Sequence, residues 1–306
     1  MRRINIDRVK PGMVLGKTIY GYKYEMLLNK GVIITENHIA QLKNKGFYKI
    51  YIDDEETADV VIENPISDKI RIMATKDILK TYTITQAALE HIEADTTEAI
   101  IKCINTQKIK RAFQENPAFK QLCKDINAFV DEIMNSDVLS GLNSIKSFDN
   151  YTYEHSIDTA VIALTIGKRL SLNREKLKQI AMGEFLHDIG KIFLDEKIIN
   201  KPGKLTPDEY EQVKLHTIYG YELLKDIRDI EAASAHITYQ HHERQDGKGY
   251  PRGLRGNNRL DHGIIKYTDQ EKIILIAEIA AIADFYDACI SERPYRKGFP
   301  PDLVYN

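Results

Sequence analysis

The feature that most limits what this chain can fold into is a helical periodicity from residue 143 to the end, interrupted by one glycine-rich loop. Thr152 to Arg169 sets Ile157, Ala160, Val161, Leu164 and Ile166 on one face. Asn173 can cap a helix reaching about His187, with Gly190 just beyond it. Thr206-Pro207-Asp208-Glu209 joins a capping hydroxyl, a proline at the first helical position and a glutamate three after the cap. That helix runs to about Lys225. Another starts at Asp229 and reaches about Glu243, and the last covers Asp269 to about Ser291. Between them, Asp246 to Asn258 holds Gly247, Gly249, Gly253, Gly256 and Pro251 and reads as loop. Such a pattern predicts an all-helical bundle.

The N-terminal part differs. Met13–Tyr20 and Leu27–Ile34 are strand-like, Thr35 can cap a short helix over Glu36–Lys45, and Tyr48–Ile52 reads as a further strand. Pro65 marks a boundary. From Ser67 to about Leu142 the apolar spacing returns to three and four, with a break at Glu115-Asn116-Pro117. The expected protein is mainly α. It has a small α+β domain over 1–65, a helical connector over 66–142 and a helical bundle over 143–306.

Charge and cysteine usage narrow the function classes. Lys and Arg total 43 against 45 Asp and Glu, so broad nucleic-acid binding is not expected. The longest apolar stretch, Ile273 to Ala283, is too short for a bilayer and contains Glu278, and the N-terminus lacks a signal-peptide core. Cys103, Cys123 and Cys289 are odd in number and form no CxxC pair. A cytoplasmic protein with no membrane or nucleic-acid partner is expected.

His155, His187, His216, His241 and His242 all fall in the helical C-terminal half, and Asp284 sits in an apolar helix. A single helical histidine is ordinarily a core or surface residue. A carboxylate in an apolar helix is costly unless paired, and metal coordination is one way to offset that cost. Imidazole and carboxylate suit Zn, Mn and Fe, while the lack of nearby cysteine argues against a structural zinc. Inward-facing His and carboxylate groups on several helices are how bundles build two-metal centres.

His187-Asp188-Ile189-Gly190-Lys191 resembles the HD motif of the metal-dependent phosphohydrolase superfamily. The string His241-His242-Glu243-Arg244-Gln245-Asp246-Gly247-Lys248-Gly249-Tyr250-Pro251 resembles the signature of its HD-GYP branch. Ala283-Asp284-Phe285-Tyr286-Asp287-Ala288 and Arg293-Pro294-Tyr295-Arg296 follow in the order that branch shows. The resemblance covers about 145 to 297, and residues 1 to about 60 resemble, far more weakly, a small domain often found ahead of it. It implies an HD-type helical bundle and a cyclic di-GMP phosphodiesterase. Two divalent ions, iron or manganese, are implied, with His155, His187, Asp188 and Asp284 at one and His216, His241 and His242 at the other. Asp188 bridges them. Some members hold a third ion through a glutamate four residues before the first histidine; Tyr151 stands there, so two are expected.

In that scheme a hydroxide bridging the ions attacks one phosphodiester, giving pGpG, and a second cut gives GMP. Asp188 and Lys191 act in catalysis, with Lys191 on the substrate phosphate; Arg293 and Arg296 hold the nucleotide. The GYP loop lies near surfaces for signalling protein partners, and Lys248, Arg252, Arg255 and Arg259 add positive charge around it. Its glycines suit either phosphate binding through backbone N–H groups or simple turns. Two alternatives stand beside this reading: a catalytically weak cyclic-dinucleotide-binding module, and a phosphodiesterase for another cyclic dinucleotide such as 3′,3′-cyclic GMP-AMP.

Overall fold

A computed structural model describes residues 1–21, 25–54, 65–89, 96–136, 151–256, 271–291, 298–299 and 301–304. The N-terminal part holds β1 (Arg2–Asn5), β2 (Val14–Leu15), β3 (Ile19–Tyr20), β4 (Met26–Leu28) and β5 (Lys49–Asp53). An antiparallel sheet runs β1-β5-β2, and β3 pairs with β4. The strand-like run Met13–Tyr20 is split into β2 and β3. Gly16 donates to the Tyr51 carbonyl at 2.7 Å, and a Cβ there would sit 3.1 Å from Asp53 N, so the chain turns against β5 at that point. Helix α1 (Glu36–Asn44) starts with a capping box: Thr35 Oγ1 accepts from His38 N at 3.2 Å, and His38 Nδ1 accepts from Thr35 N at 3.3 Å. Leu15, Ile19, Ile34, Leu42 and Ile50 close a core of their own.

Helices α2 (Asp68–Ala87), α3 (Thr97–Ile104), α4 (Gln107–Gln114) and α5 (Pro117–Asn135) follow. Asn116 caps α5 by accepting from Ala118 N at 2.9 Å, with Pro117 at the first position. Then come α6 (Tyr151–Arg169), α7 (Arg174–Leu186), α8 (Glu196–Ile199), α9 (Pro207–Leu224), α10 (Ala232–Gln240), α11 (Leu275–Ile290) and α12 (Pro301–Val304). Ile78, Phe119 and Phe129 share one apolar cluster with Ile157, Leu164 and Phe185. Phe129 meets Phe185 edge-on at 5.0 Å. Helices α2 to α5 are thus packed into the same core as the C-terminal helices.

Two helix starts differ from the expectation. Helix α10 begins at Ala232 rather than Asp229, because Ile230 N donates to the Ile227 carbonyl at 3.0 Å and Ile230 turns into the core. Helix α11 begins at Leu275 rather than Asp269. Arg255 N donates to Glu271 O at 3.2 Å and Ile273 N to Arg255 O at 3.0 Å, so Glu271 to Ile273 are held against the loop. The three cysteines are half-buried free thiols, and burial pushes Cys123 up to about 12.

Helix α6 is pinned to α2 by an ion pair. Arg71 Nη1 donates to Asp158 Oδ1 at 2.7 Å, and the Asp158 carboxylate is fully buried. Removing the cation takes from that buried charge its ion pair with Arg71. Arg71→Ala is expected to lower the unfolding free energy by about 2 kcal/mol in urea denaturation. A loss below about 0.5 kcal/mol would mean that the pair contributes no more than an exposed one.

Candidate metal centre

Helix α6 packs against α7 and α11, α10 against α7 and α9, and a tight turn over Ile189–Phe193 sits on α9. This arrangement places seven side chains around one point. His155 comes from the second turn of α6. His187 ends α7 as its C-cap, and Asp188 follows it. His216 lies within α9, His241 ends α10 with His242 next, and Asp284 comes from α11. All are buried except His242 and Asp284, which are half-buried.

The described residues contain two groups of potential ligands. In each, one donor atom per residue lies within 4.8 Å of the others: His155, His187 and Asp188, and His216, His241 and His242. Asp188 lies between the groups, with Oδ2 3.4 Å from His187 Nε2 and Oδ1 3.5 Å from His216 Nε2. Asp284 reaches both groups, at 3.0 Å from His155 Nε2 and 3.9 Å from His242 Nδ1.

Hydrogen bonds at the outer ring nitrogens fix which nitrogen faces inward. His187 Nδ1 donates to the Glu184 carbonyl at 2.8 Å, His216 Nδ1 to Val213 at 2.6 Å and His241 Nδ1 to Thr238 at 3.0 Å. A carbonyl only accepts, so each Nδ1 carries the proton and a neutral ring turns the lone pair of Nε2 inward. Nε2 of His216 then lies 3.3 Å from Nε2 of His241, lone pair facing lone pair. His187 and His216 face the two carboxylate oxygens of Asp188 in the same way. Only a cation or an added proton relieves such an arrangement.

Electrostatics favour the cation at the histidine group. Burial holds His216 and His242 down at about 3 and His241 well below its ordinary value, so these rings resist protonation. Asp188 is held well below the carboxylate range; burial opposes this, but Lys191, His187 and His216 outweigh it. The same holds for Asp284 through His155. Neutral imidazoles and ionised carboxylates are the forms that bind divalent ions. The histidine group therefore fits one such ion as it stands. At the other group burial opposes protonation, but Asp284, Asp287 and Asp188 push His155 and His187 up against it, so a cation there takes the place of their protons.

Lys191 Nζ lies 2.5 Å from Asp188 Oδ2 and is one third exposed, at the rim of the centre. Arg293 and Arg296 lie outside the described residues, as does Arg259. In the glycine-rich loop, Arg252 N and Leu254 N donate to the Glu243 carboxylate at 2.7 and 2.8 Å, and Lys248 N to Asp246 Oδ1 at 3.0 Å. Those backbone donors are spent on holding the loop's shape, which supports the turn reading. A Cβ at Gly249 would sit 2.5 Å from Glu243 Cα, so the loop closes on itself there.

Two residues near the centre, Asp287 and Glu184, have no ligand or catalytic role in the sequence reading, where Asp287 appears only within the motif Ala283–Ala288. Asp287 Oδ2 lies 2.6 Å from His155 Nδ1, and Ser291 Oγ donates to Asp287 Oδ1 at 2.9 Å. A carboxylate on the outer nitrogen orients a ligand histidine and raises its basicity. The i, i+3 and i+7 spacing of Asp284, Asp287 and Ser291 was the available signal. Glu184, one turn before His187, is fully buried with Oε1 lacking a hydrogen-bond partner among the described residues.

Burial pushes Glu184 up to about 7, with His187 and Thr159 opposing. A raised carboxyl binds its proton more tightly when folded than when unfolded. Stability from this group is therefore highest in acid and falls as pH rises from about 4.5 to about 7. In chelator-treated protein, Glu184→Gln is expected to gain on the order of 2 kcal/mol over wild type between pH 5 and pH 8. Parallel urea midpoints across that range would refute it.

Residues 135–302 match a family model described as HD domain. The chain belongs to the HD domain family. Its relatives include a cyclic di-GMP phosphodiesterase of Pseudomonas aeruginosa, 27% identical over 98% of this chain and 70% of the relative. A cyclic di-GMP phosphodiesterase of Thermotoga maritima is 28% identical over 83% of this chain. A 3′3′-cGAMP-specific phosphodiesterase of Vibrio cholerae is 33% identical over 58% of this chain. The chain spans 63% and 37% of the lengths of the latter two. HD-domain phosphohydrolases depend on metal ions, and the His/Asp clusters of this HD domain could hold them. No helix among the described residues is long and apolar enough to cross a membrane.

Proposed function

We propose that this HD domain protein is a metal-dependent phosphodiesterase that opens cyclic di-GMP to pGpG, with further cleavage to GMP. The observation that carries the reading is the convergence of two lone-pair-bearing imidazole and carboxylate groups on Asp188. His155, His187, Asp188 and Asp284 would hold one divalent ion and His216, His241 and His242 the other. Iron or manganese suits a set with imidazole and carboxylate but no thiolate. When bound, such a pair supplies a water of lowered pKa and positive charge for the phosphoryl oxygens.

The chain's own residues do the rest. Asp188 stays ionised between the two groups and orients both. Asp287 holds His155 through Nδ1. Lys191, at the rim, can turn from Asp188 toward a substrate phosphate and offset charge that builds on it. Arg293 and Arg296 are proposed to hold the nucleotide, the GYP loop to meet signalling partners, and the 1–65 domain to regulate. The cytoplasm suits the free thiols of Cys103, Cys123 and Cys289. Similarity to a 3′3′-cGAMP-specific phosphodiesterase favours that dinucleotide as the second reading.

The test is anaerobic loading with Fe(II) or Mn(II), incubation with cyclic di-GMP or 3′,3′-cyclic GMP-AMP, and chromatography of the products. Appearance of pGpG is expected. Cleavage of the mixed dinucleotide alone would move the substrate. Intact dinucleotides in a sample holding two ions per chain would replace the enzyme with a binding module.

A further inference from the structure

We propose that Tyr210 and Lys214, on the first two turns of α9, form a purine-base subsite at the rim of the metal centre. This rests on the cyclic dinucleotide reading above and adds where one base of that ligand is held. The observation is a row of rings leading outward from a candidate metal ligand. The Tyr250 ring is stacked on His242 at 4.7 Å with 27° between planes. Tyr210 meets Tyr250 edge-on at 6.3 Å. Lys214 Nζ lies 4.8 Å from the Tyr210 ring centre and 5.6 Å from that of Tyr250, in the notch between the two.

Tyr210 is 46% exposed, a large aromatic side chain left open to solvent. It projects beside Tyr250, which is half-buried and stacked on His242, so the outer ring is the one that presents surface. Lys214 is one quarter exposed and ion-paired with the exposed carboxylate of Glu211 at 2.6 Å. Such a surface pair is weak and can be exchanged for a ligand atom.

An exposed aromatic ring with an ammonium held over it by a cation–π contact, able to swing to a ligand, matches the chemistry of a purine nucleotide. Bases stack on aromatic side chains. Guanine also offers O6 and N7 as paired acceptors for a lysine, whereas adenine replaces the O6 acceptor with an amino donor. His242 belongs to the group proposed to hold an ion, so a phosphodiester at the centre would bring an attached base toward these rings. Tyr210 is then a binding residue and Lys214 a base-selecting one.

The experiment measures binding of hydrolysis-resistant phosphorothioate analogues of cyclic di-GMP and cyclic di-AMP to the Mn(II)-loaded full chain by equilibrium dialysis. KM and kcat for cyclic di-GMP are measured beside it. Tyr210→Ala is expected to weaken binding of the guanine analogue, and to raise KM, about tenfold or more. Tyr210→Phe, which keeps the ring, should stay within about twofold of wild type. Lys214→Met should lower the guanine-over-adenine preference severalfold.

Equal binding by wild type and Tyr210→Ala, or no binding by wild type, would overturn the subsite. An unchanged base preference in Lys214→Met would remove Lys214 from it. Wild-type protein that binds the guanine analogue but leaves cyclic di-GMP intact would overturn the phosphodiesterase reading alone, with the Tyr210 comparison still deciding the subsite.

Discussion

Asp188→Ala is expected to bring turnover of cyclic di-GMP down by at least about a thousandfold and metal content from two ions per chain to below one. Asp188 is the group that both clusters share: one oxygen faces His187 at 3.4 Å and the other faces His216 at 3.5 Å. Without it, the carboxylate facing both clusters is gone, Asp284 at 3.0 Å from His155 and 3.9 Å from His242 is the carboxylate left to them, and His187 and His216 lose the anion they face. Lys191 also loses its 2.5 Å partner and becomes an uncompensated cation beside the site. Elemental analysis and product chromatography on the same preparation check this. Two ions retained with activity lost would remove Asp188 from metal binding and leave it a role at the substrate. Two ions retained with activity intact would refute the assignment altogether.

The second large effect is structural. A Cβ on Gly190 would overlap the carbonyl oxygen of His216 and come within 2.6 Å of Gly220 N. Here the turn after Asp188 packs backbone to backbone against α9, and Gly220 faces it from the other side, with a Cβ 3.2 Å from Gly190 N. Backbone on both sides cannot move aside as a flexible side chain could. Gly190→Ala is expected to cost about 3 kcal/mol, at the upper end for overpacking, because α9 must shift outward. That shift carries His216 away from Asp188, so metal content should fall as well. Urea denaturation and elemental analysis read the two effects separately. A destabilisation under about 1 kcal/mol with full metal content would show that the turn can relax without moving the histidine.

Much of the chain's local architecture was legible beforehand. The Thr206 capping box, Pro117 at the start of α5 and the Asn173 cap are written within a few neighbouring residues. So is the apolar stripe of α6. Their energetics are local, and the elements form close to where the pattern places them. Boundaries set by distant partners were not legible. The start of α11 depends on Arg255, and the split between β2 and β3 depends on Tyr51 and Asp53. The segment read as a connector has a helical period indistinguishable from that of a linker helix. Its place in the main core follows from Phe129 meeting Phe185, which lie 56 positions apart.

The candidate site divides the same way. By itself the sequence determined the residue types, their placement on helices or at helix ends, and their resemblance to an ordered set of HD-GYP motifs. A histidine or aspartate that ends a helix is recognisable one element at a time. The tertiary structure decided which of them meet: that Asp188 faces both groups, that Asp287 orients His155, and that Glu184 lies buried behind His187. It also decided that three rings turn Nε2 inward, because the carbonyls fixing Nδ1 belong to the preceding helical turn. The physical reason is range. Caps and periodicity act over three or four residues, whereas a metal centre is built from lone pairs brought together by packing across α6, α7, α9, α10 and α11.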